Sequence, residues 1–127
     1  MAGARLLLDT HVFLWWRADS RQLKTATRGA IASADLVFVS AATAWEAGIK
    51  VALGRLRIPE AIAVGMADSG FEELPITVAH AEAAAALPPL HTDPFDRMLV
   101  AQARLEHLTL VTHDERLRGY AVDLLWA

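Results

Sequence analysis

The run Arg5-Leu6-Leu7-Leu8-Asp9 limits the fold more than any other stretch of the chain. Consecutive aliphatic residues with no polar alternation predict a strand buried on both faces, the kind found in the middle of a parallel sheet. Asp9 stops the run. A carboxylate at the carboxyl end of a central strand stands where open α/β sheets hold ligands. Asp is also a favoured N-cap, so Asp9 could simply start the helix predicted over Thr10–Arg17. The stretch by itself leaves both readings open.

The 127 residues fit one domain, 1–127, long enough to bury an ordinary core. A chain that is 54% hydrophobic and 21% charged is not expected to be disordered. No apolar stretch reaches the roughly 18–20 residues of a membrane span, and Leu6–Leu8 is too short for the core of a signal peptide, so a cytoplasmic protein is expected. With no cysteine, any metal must be held by oxygen or imidazole. A net charge of −3 does not mark a general nucleic-acid binder; local basic groups or bound cations must supply any such attraction.

Strand-like and helix-like segments then alternate without a linker. Ser20 is expected to cap a second helix reaching about Ser33, with Arg21, Lys24 and Arg28 on one face; a solvated face is favoured over one that meets RNA phosphate or an acidic partner. Leu36–Val39 reads as a strand and Ser40 as the cap of a helix from Ala41 to about Leu53. There Ala42, Trp45, Ile49 and Leu53 form an apolar stripe expected to face the core, and Glu46 falls on it. An acid on a core face is costly unless paired, protonated or bound to a cation. A pair with Lys50 contributes only about 0.3–0.5 kcal/mol, too little to offset burial, which favours a functional Glu46.

Pro59 is expected to open a helix through about Ser69, and Glu73–Ile76 to form a short strand near an edge because of its proline. Thr77 should cap a helix ending at Leu87, with His80 and Glu82 on its surface. Asp93, Pro94 and Asp96 fit N-cap, N1 and N3 of another helix, with Asp96 on the face of Leu99, Val100 and Ala103 and Arg97 elsewhere. Thr109–Thr112 and Val122–Leu125 read as the last strands, and Asp114 stands just past the first of these, as Asp9 stands past its own.

Asp9 and Asp114 thus follow strands, while Glu46 and Asp96 lie on helices that follow strands or loops. In a parallel sheet these positions share one edge, so the four acids could converge. Two carboxylates about 5 Å apart repel by roughly 3 kcal/mol at an effective dielectric of 20, and a divalent cation reverses that sign. Oxygen ligands without cysteine suit Mg²⁺ or Mn²⁺, which can activate water and neutralise charge on a phosphodiester.

The ordered set Leu6-Leu7-Leu8-Asp9-Thr10-His11, Ser40-Ala41-Ala42-Thr43-Ala44-Trp45-Glu46, Asp93-Pro94-Phe95-Asp96-Arg97-Met98-Leu99-Val100-Ala101-Gln102-Ala103 and Leu110-Val111-Thr112-His113-Asp114 closely resembles the PIN-domain family, and within it the VapC-type toxins of bacterial toxin–antitoxin pairs. The resemblance spans nearly the whole chain. It implies a three-layer α/β/α fold with a mostly parallel central sheet and a Mg²⁺- or Mn²⁺-dependent endoribonuclease site. Asp9, Glu46, Asp96 and Asp114 match the family's acids, and Thr112 its small hydroxyl residue before the last acid; Thr10 and Asp93 are supporting candidates, with capping favoured for Asp93. Such toxins cleave structured RNA such as tRNA or rRNA, form homodimers, and are silenced by an antitoxin whose tail enters the active-site groove.

On this reading Asp9, Asp96 and Asp114 hold an ion, and Glu46 completes a second site or orients the attacking water. His11 and His113 adjoin acids without a visible partner arrangement, and the Trp15–Trp16 pair is read as core and partner surface rather than a base-stacking platform. The rivals are a catalytically silent PIN-like binding domain and a phosphotransferase like the haloacid dehalogenases. The latter is expected to carry a second Asp where this chain has His11.

Overall fold

Residues 3–127 are described by a computed structural model. Leu6, Leu7 and Leu8 have no exposed surface, and their strand β1 (Arg5–Leu8) is flanked by β2 (Leu36–Ser40) on one side and β4 (Thr109–Thr112) on the other. β3 (Glu72–Leu74) and β5 (Leu124–Trp126) form the edges of a five-stranded sheet, order β3-β2-β1-β4-β5, in which every pairing is parallel. The two-residue period of a strand sends successive leucines to opposite faces. Leu7 joins a core made with α5 (Val78–Ala86) and α6 (Pro94–Glu106), while Leu6 and Leu8 join a second core with α1 (Thr10–Arg17), α2 (Thr25–Ser33) and α4 (Ile62–Ser69). The layers are therefore α/β/α. Helix α3 (Ala41–Ala52) gives Ala42 to one core and Ala47 to the other. Among the described residues no helix is long and apolar enough to cross a membrane.

Several local expectations are corrected. Helix α2 starts at Thr25, because the Ser20 hydroxyl is engaged by Gln22 N in a turn that buries Leu23. Arg21 and Lys24 precede the helix, so they form no stripe with Arg28, which pairs with Asp19 and lies over Trp16. Pro59 likewise precedes its helix: α4 begins at Ile62, after Glu60 has turned to bond Arg17. His80 is buried, not on the surface, because it closes a capping box with Thr77 and bonds Glu106; Glu82 is exposed as expected. On α3 the buried face is Ala42, Thr43, Glu46 and Ala47, whereas Trp45, Ile49 and Leu53 are exposed, Trp45 resting on Phe95.

Candidate active site

From β1 the chain runs outward through β2 to β3, then returns to place β4 on the other side of β1. The carboxyl ends of β1 and β4 therefore flank a topological switch point, the place where open α/β sheets form a crevice. Asp9 follows β1 and Asp114 follows β4. Thr112 ties them together: its hydroxyl donates to Asp9 Oδ2 at 2.6 Å and accepts from Asp114 N at 3.1 Å. Asp9 Oδ1 also accepts from Val12 N at 2.8 Å, so the residue caps α1 and lines the crevice at once. Burial pushes its carboxyl above the ordinary range, against the opposing hydrogen bonds from Thr112 and Val12.

Glu46 is only 4% exposed. Its helix starts where Ser40 accepts from Ala42 N, which turns Thr43, Glu46 and Ala47 inward. The Thr10 hydroxyl donates to Glu46 Oε1 at 2.6 Å, and Lys50 Nζ holds Oε2 at 2.8 Å. The pairing with Lys50 is therefore real, and Thr10 supplies a second partner.

The third group is built by the start of α6. Asp93 caps it, accepting from Phe95 N and Asp96 N, with Pro94 in the first turn. Asp96, one turn in, meets a residue that sequence reasoning missed. His91 Nε2 lies 2.8 Å from Asp96 Oδ2 and 3.3 Å from Asp114 Oδ2. Thr92 N donates to His91 Nδ1, which leaves Nε2 to donate to Asp96 Oδ2, with Asp114 Oδ2 close by. His91, Asp96 and Asp114 present atoms within 4.8 Å of one another, a tighter group than the expected trio of Asp9, Asp96 and Asp114. A histidine in a loop has no periodicity to reveal it; its place just before the Asp93-Pro94 helix start was the only signal.

Asp9, Glu46, Asp93, Asp96 and Asp114 all line one cleft of about 380 Å³, together with His11, Lys50, His113, Glu115 and Arg116. His113 Nδ1 is 4.0 Å from Asp9 Oδ2, and its ring packs against His11 and against Trp15. The carboxylate oxygens dominate the donor set, with His91 beside Asp96 and Asp114, and such oxygens suit a hard divalent cation such as Mg²⁺ or Mn²⁺. Crowding shows in the protonation of the site. Burial, with the charges of Asp93 and Asp9, raises Asp96 to about 6 despite the hydrogen bond from His91. Asp114 is held down at about 2, chiefly by hydrogen bonds from Arg116.

The raised Asp96 has a stability consequence. Its contribution is fully present below the unfolded value of 3.8 and is lost as pH rises through about 6. Without divalent ions, Asp96→Asn is expected to melt higher than the parent chain at about pH 7.5 and level with it near pH 4. Melting curves at the two pH values decide this; a difference that stays constant would remove the linkage.

A family model described as "PIN domain" matches residues 6–123. Ribonuclease VapC22 of Mycobacterium tuberculosis is 34% identical over 118 residues, which cover 91% of this chain and 91% of that protein. Among solved structures, VapBC2 from Rickettsia felis bound to a promoter DNA fragment superposes with a TM-score of 0.70 at 13% identity, covering 95% of this chain and 97% of that one. A toxin–antitoxin complex from Klebsiella pneumoniae gives a TM-score of 0.68 at 21% identity over 94% and 95% of the two chains. At these identities the two solved structures bear on the fold alone.

Proposed function

The chain belongs to the PIN-domain family, and from that premise we propose that it is a Mg²⁺- or Mn²⁺-dependent endoribonuclease that acts as the toxin of a toxin–antitoxin pair. The observation that carries the reading is the gathering of Asp9, Glu46, Asp96 and Asp114, distant in sequence, around one cleft at a switch point of the sheet. The ribonuclease name of the M. tuberculosis relative supports RNA as substrate, with structured RNAs such as tRNA or rRNA as the targets that inhibit translation. The toxin–antitoxin neighbours support a cognate antitoxin as partner, and we place the activity in the cytoplasm, with the chain as a homodimer.

Asp9, Asp96 and Asp114 would hold the metal, with Glu46 beside them. When bound, the ion lowers the pKa of water and offsets charge on a phosphodiester. The chain's own residues do the rest. Thr112 and Thr10 hold the Asp9 and Glu46 carboxylates in place by donating to them. Glu46, buried between Thr10 and Lys50, would complete a second metal site or orient the attacking water. His91 keeps Asp96 and Asp114 at a fixed separation, and Asp93 acts as the helix cap. Incubation of the purified chain with total cellular RNA is expected to give discrete fragments with Mg²⁺ or Mn²⁺ and none with chelator. Intact RNA under both conditions, across pools from several growth states, would sink the nuclease reading.

A further inference from the structure

The cleft has a charge problem. Its walls carry Asp9, Glu46, Asp93, Asp96, Asp114 and Glu115, and RNA is a polyanion. Among the described residues lining it, only Lys50 and Arg116 carry a fixed positive charge, and both are engaged. Lys50 Nζ bonds Glu46 Oε2 at 2.8 Å. Arg116 grips Asp114 with two bonds, Nε to Oδ1 at 3.0 Å and Nη2 to Oδ2 at 2.9 Å. The oxygens they hold belong to acids that a divalent ion would need.

We propose that Lys50 and Arg116 are an exchangeable phosphate clamp: they compete with the metal for Glu46 and Asp114, and once the metal takes those oxygens they bind the RNA backbone on the two sides of the cleft. The proposal rests on the nuclease reading above. Three observations carry it. Both cations also line an adjoining open groove of about 480 Å³, shared with Arg55, Thr92, Pro94 and Phe95, so their heads can reach a strand that continues past the cleft. Their side chains are 36% and 68% exposed, against 5% and 16% for their carboxylate partners, so the cations can swing outward while the acids stay. The guanidinium fork that now fits a carboxylate fits a phosphate equally well, and an ammonium serves as a point-charge contact.

The clamp predicts opposite signs for two measurements. Lys50→Gln and Arg116→Gln should each bind Mn²⁺ several-fold more tightly in an electron-paramagnetic-resonance titration without RNA, because a competitor has been removed. Each should bind a fluorescein-labelled oligouridylate more weakly when Ca²⁺ fills the acidic site. The slope of log K against log salt should then shrink by about 0.7 per cation removed, as expected for one lost phosphate contact on a single strand. Arg116→Lys should recover part of the slope. Weaker or unchanged Mn²⁺ binding in both glutamine variants, or an unchanged salt slope, overturns the clamp and leaves the nuclease reading standing. A parent chain that binds no Mn²⁺ overturns both.

Discussion

Asp9→Asn is expected to melt at or above the temperature of the parent chain while its RNA cleavage falls by about 10²-fold or more, beyond the 10- to 100-fold typical of losing a mere supporting contact. Such a loss is at least about 2.7 kcal/mol of transition-state stabilisation. The variant is nearly isosteric. Asn caps a helix as well as Asp, so the bond from Val12 N survives, and the Thr112 hydroxyl can reverse its role and accept from the new amide. What disappears is a negative charge that is 3% exposed and whose burial already works against ionisation. Without divalent ion, removing it relieves the desolvation of that charge. With Mn²⁺ present, the parent chain should gain melting temperature and Asp9→Asn should not. Glu46→Gln makes a matched control, since Gln keeps an oxygen for the Thr10 hydroxyl while losing the charge. Paired melting curves and cleavage assays read both effects. An Asp9→Asn chain that still cleaves within a few-fold of the parent, or still responds to Mn²⁺, removes Asp9 from the metal site.

The features that could be read in advance are those with local physical signatures. Leu6–Leu8 carries its own burial, and an acid at the end of such a strand follows from where a strand must stop. Asp93-Pro94-Asp96 announces a helix start through capping chemistry that needs no tertiary information. The expectations failed where packing distance decided the outcome. On α3 the large residues Trp45, Ile49 and Leu53 have helical spacing, yet small Ala42, Thr43 and Ala47 face inward, because they let the helix lie close to the sheet. Glu46 is buried, as an acid on the core face should be, but the apolar stripe that places it there in the sequence is itself exposed. Ser20 carried a cap signal that was consumed one turn early, by Gln22. The burial of His80 and His91 rests in part on partners remote in sequence, Glu106 for His80 and the Tyr120 hydroxyl for His91 N, which no local pattern reveals.

Arg97 belongs with these hidden residues, and its replacement carries the largest expected loss of stability. The sequence places it off the inward face of α6. The structure uses it to hold the segment between α5 and α6 in place. Nη2 donates to the carbonyls of Ala84 and Leu87 at 2.9 Å each, and Nη1 to those of Pro88 at 3.0 Å and His91 at 3.2 Å. Tyr120 reinforces the same segment, its hydroxyl donating to Pro88 O and accepting from His91 N. Ala84 and Leu87 stand at the end of α5, where helix carbonyls lack intrahelical donors and a cation also complements the helix dipole. Arg97→Ala takes the donor from the Leu87 and His91 carbonyls, while Ala84 O keeps Leu87 N and Pro88 O keeps Leu90 N and the Tyr120 hydroxyl. At about 1–3 kcal/mol for each one left dry, and with water reaching some of them, a loss of about 3 kcal/mol is expected, or a fall in melting temperature on the order of 10 °C. Arg97→Lys should recover less than half of it, because one ammonium cannot span carbonyls that a planar fork meets on two sides. The same change should reach the cleft. The held segment carries His91, which orients Asp96 and Asp114, so Mn²⁺ affinity should weaken by about 10- to 100-fold even under conditions where the variant remains folded. Chemical denaturation and Mn²⁺ titration of both variants provide the check. If Arg97→Lys matches the parent chain in both, the guanidinium is not what holds His91 over the acids.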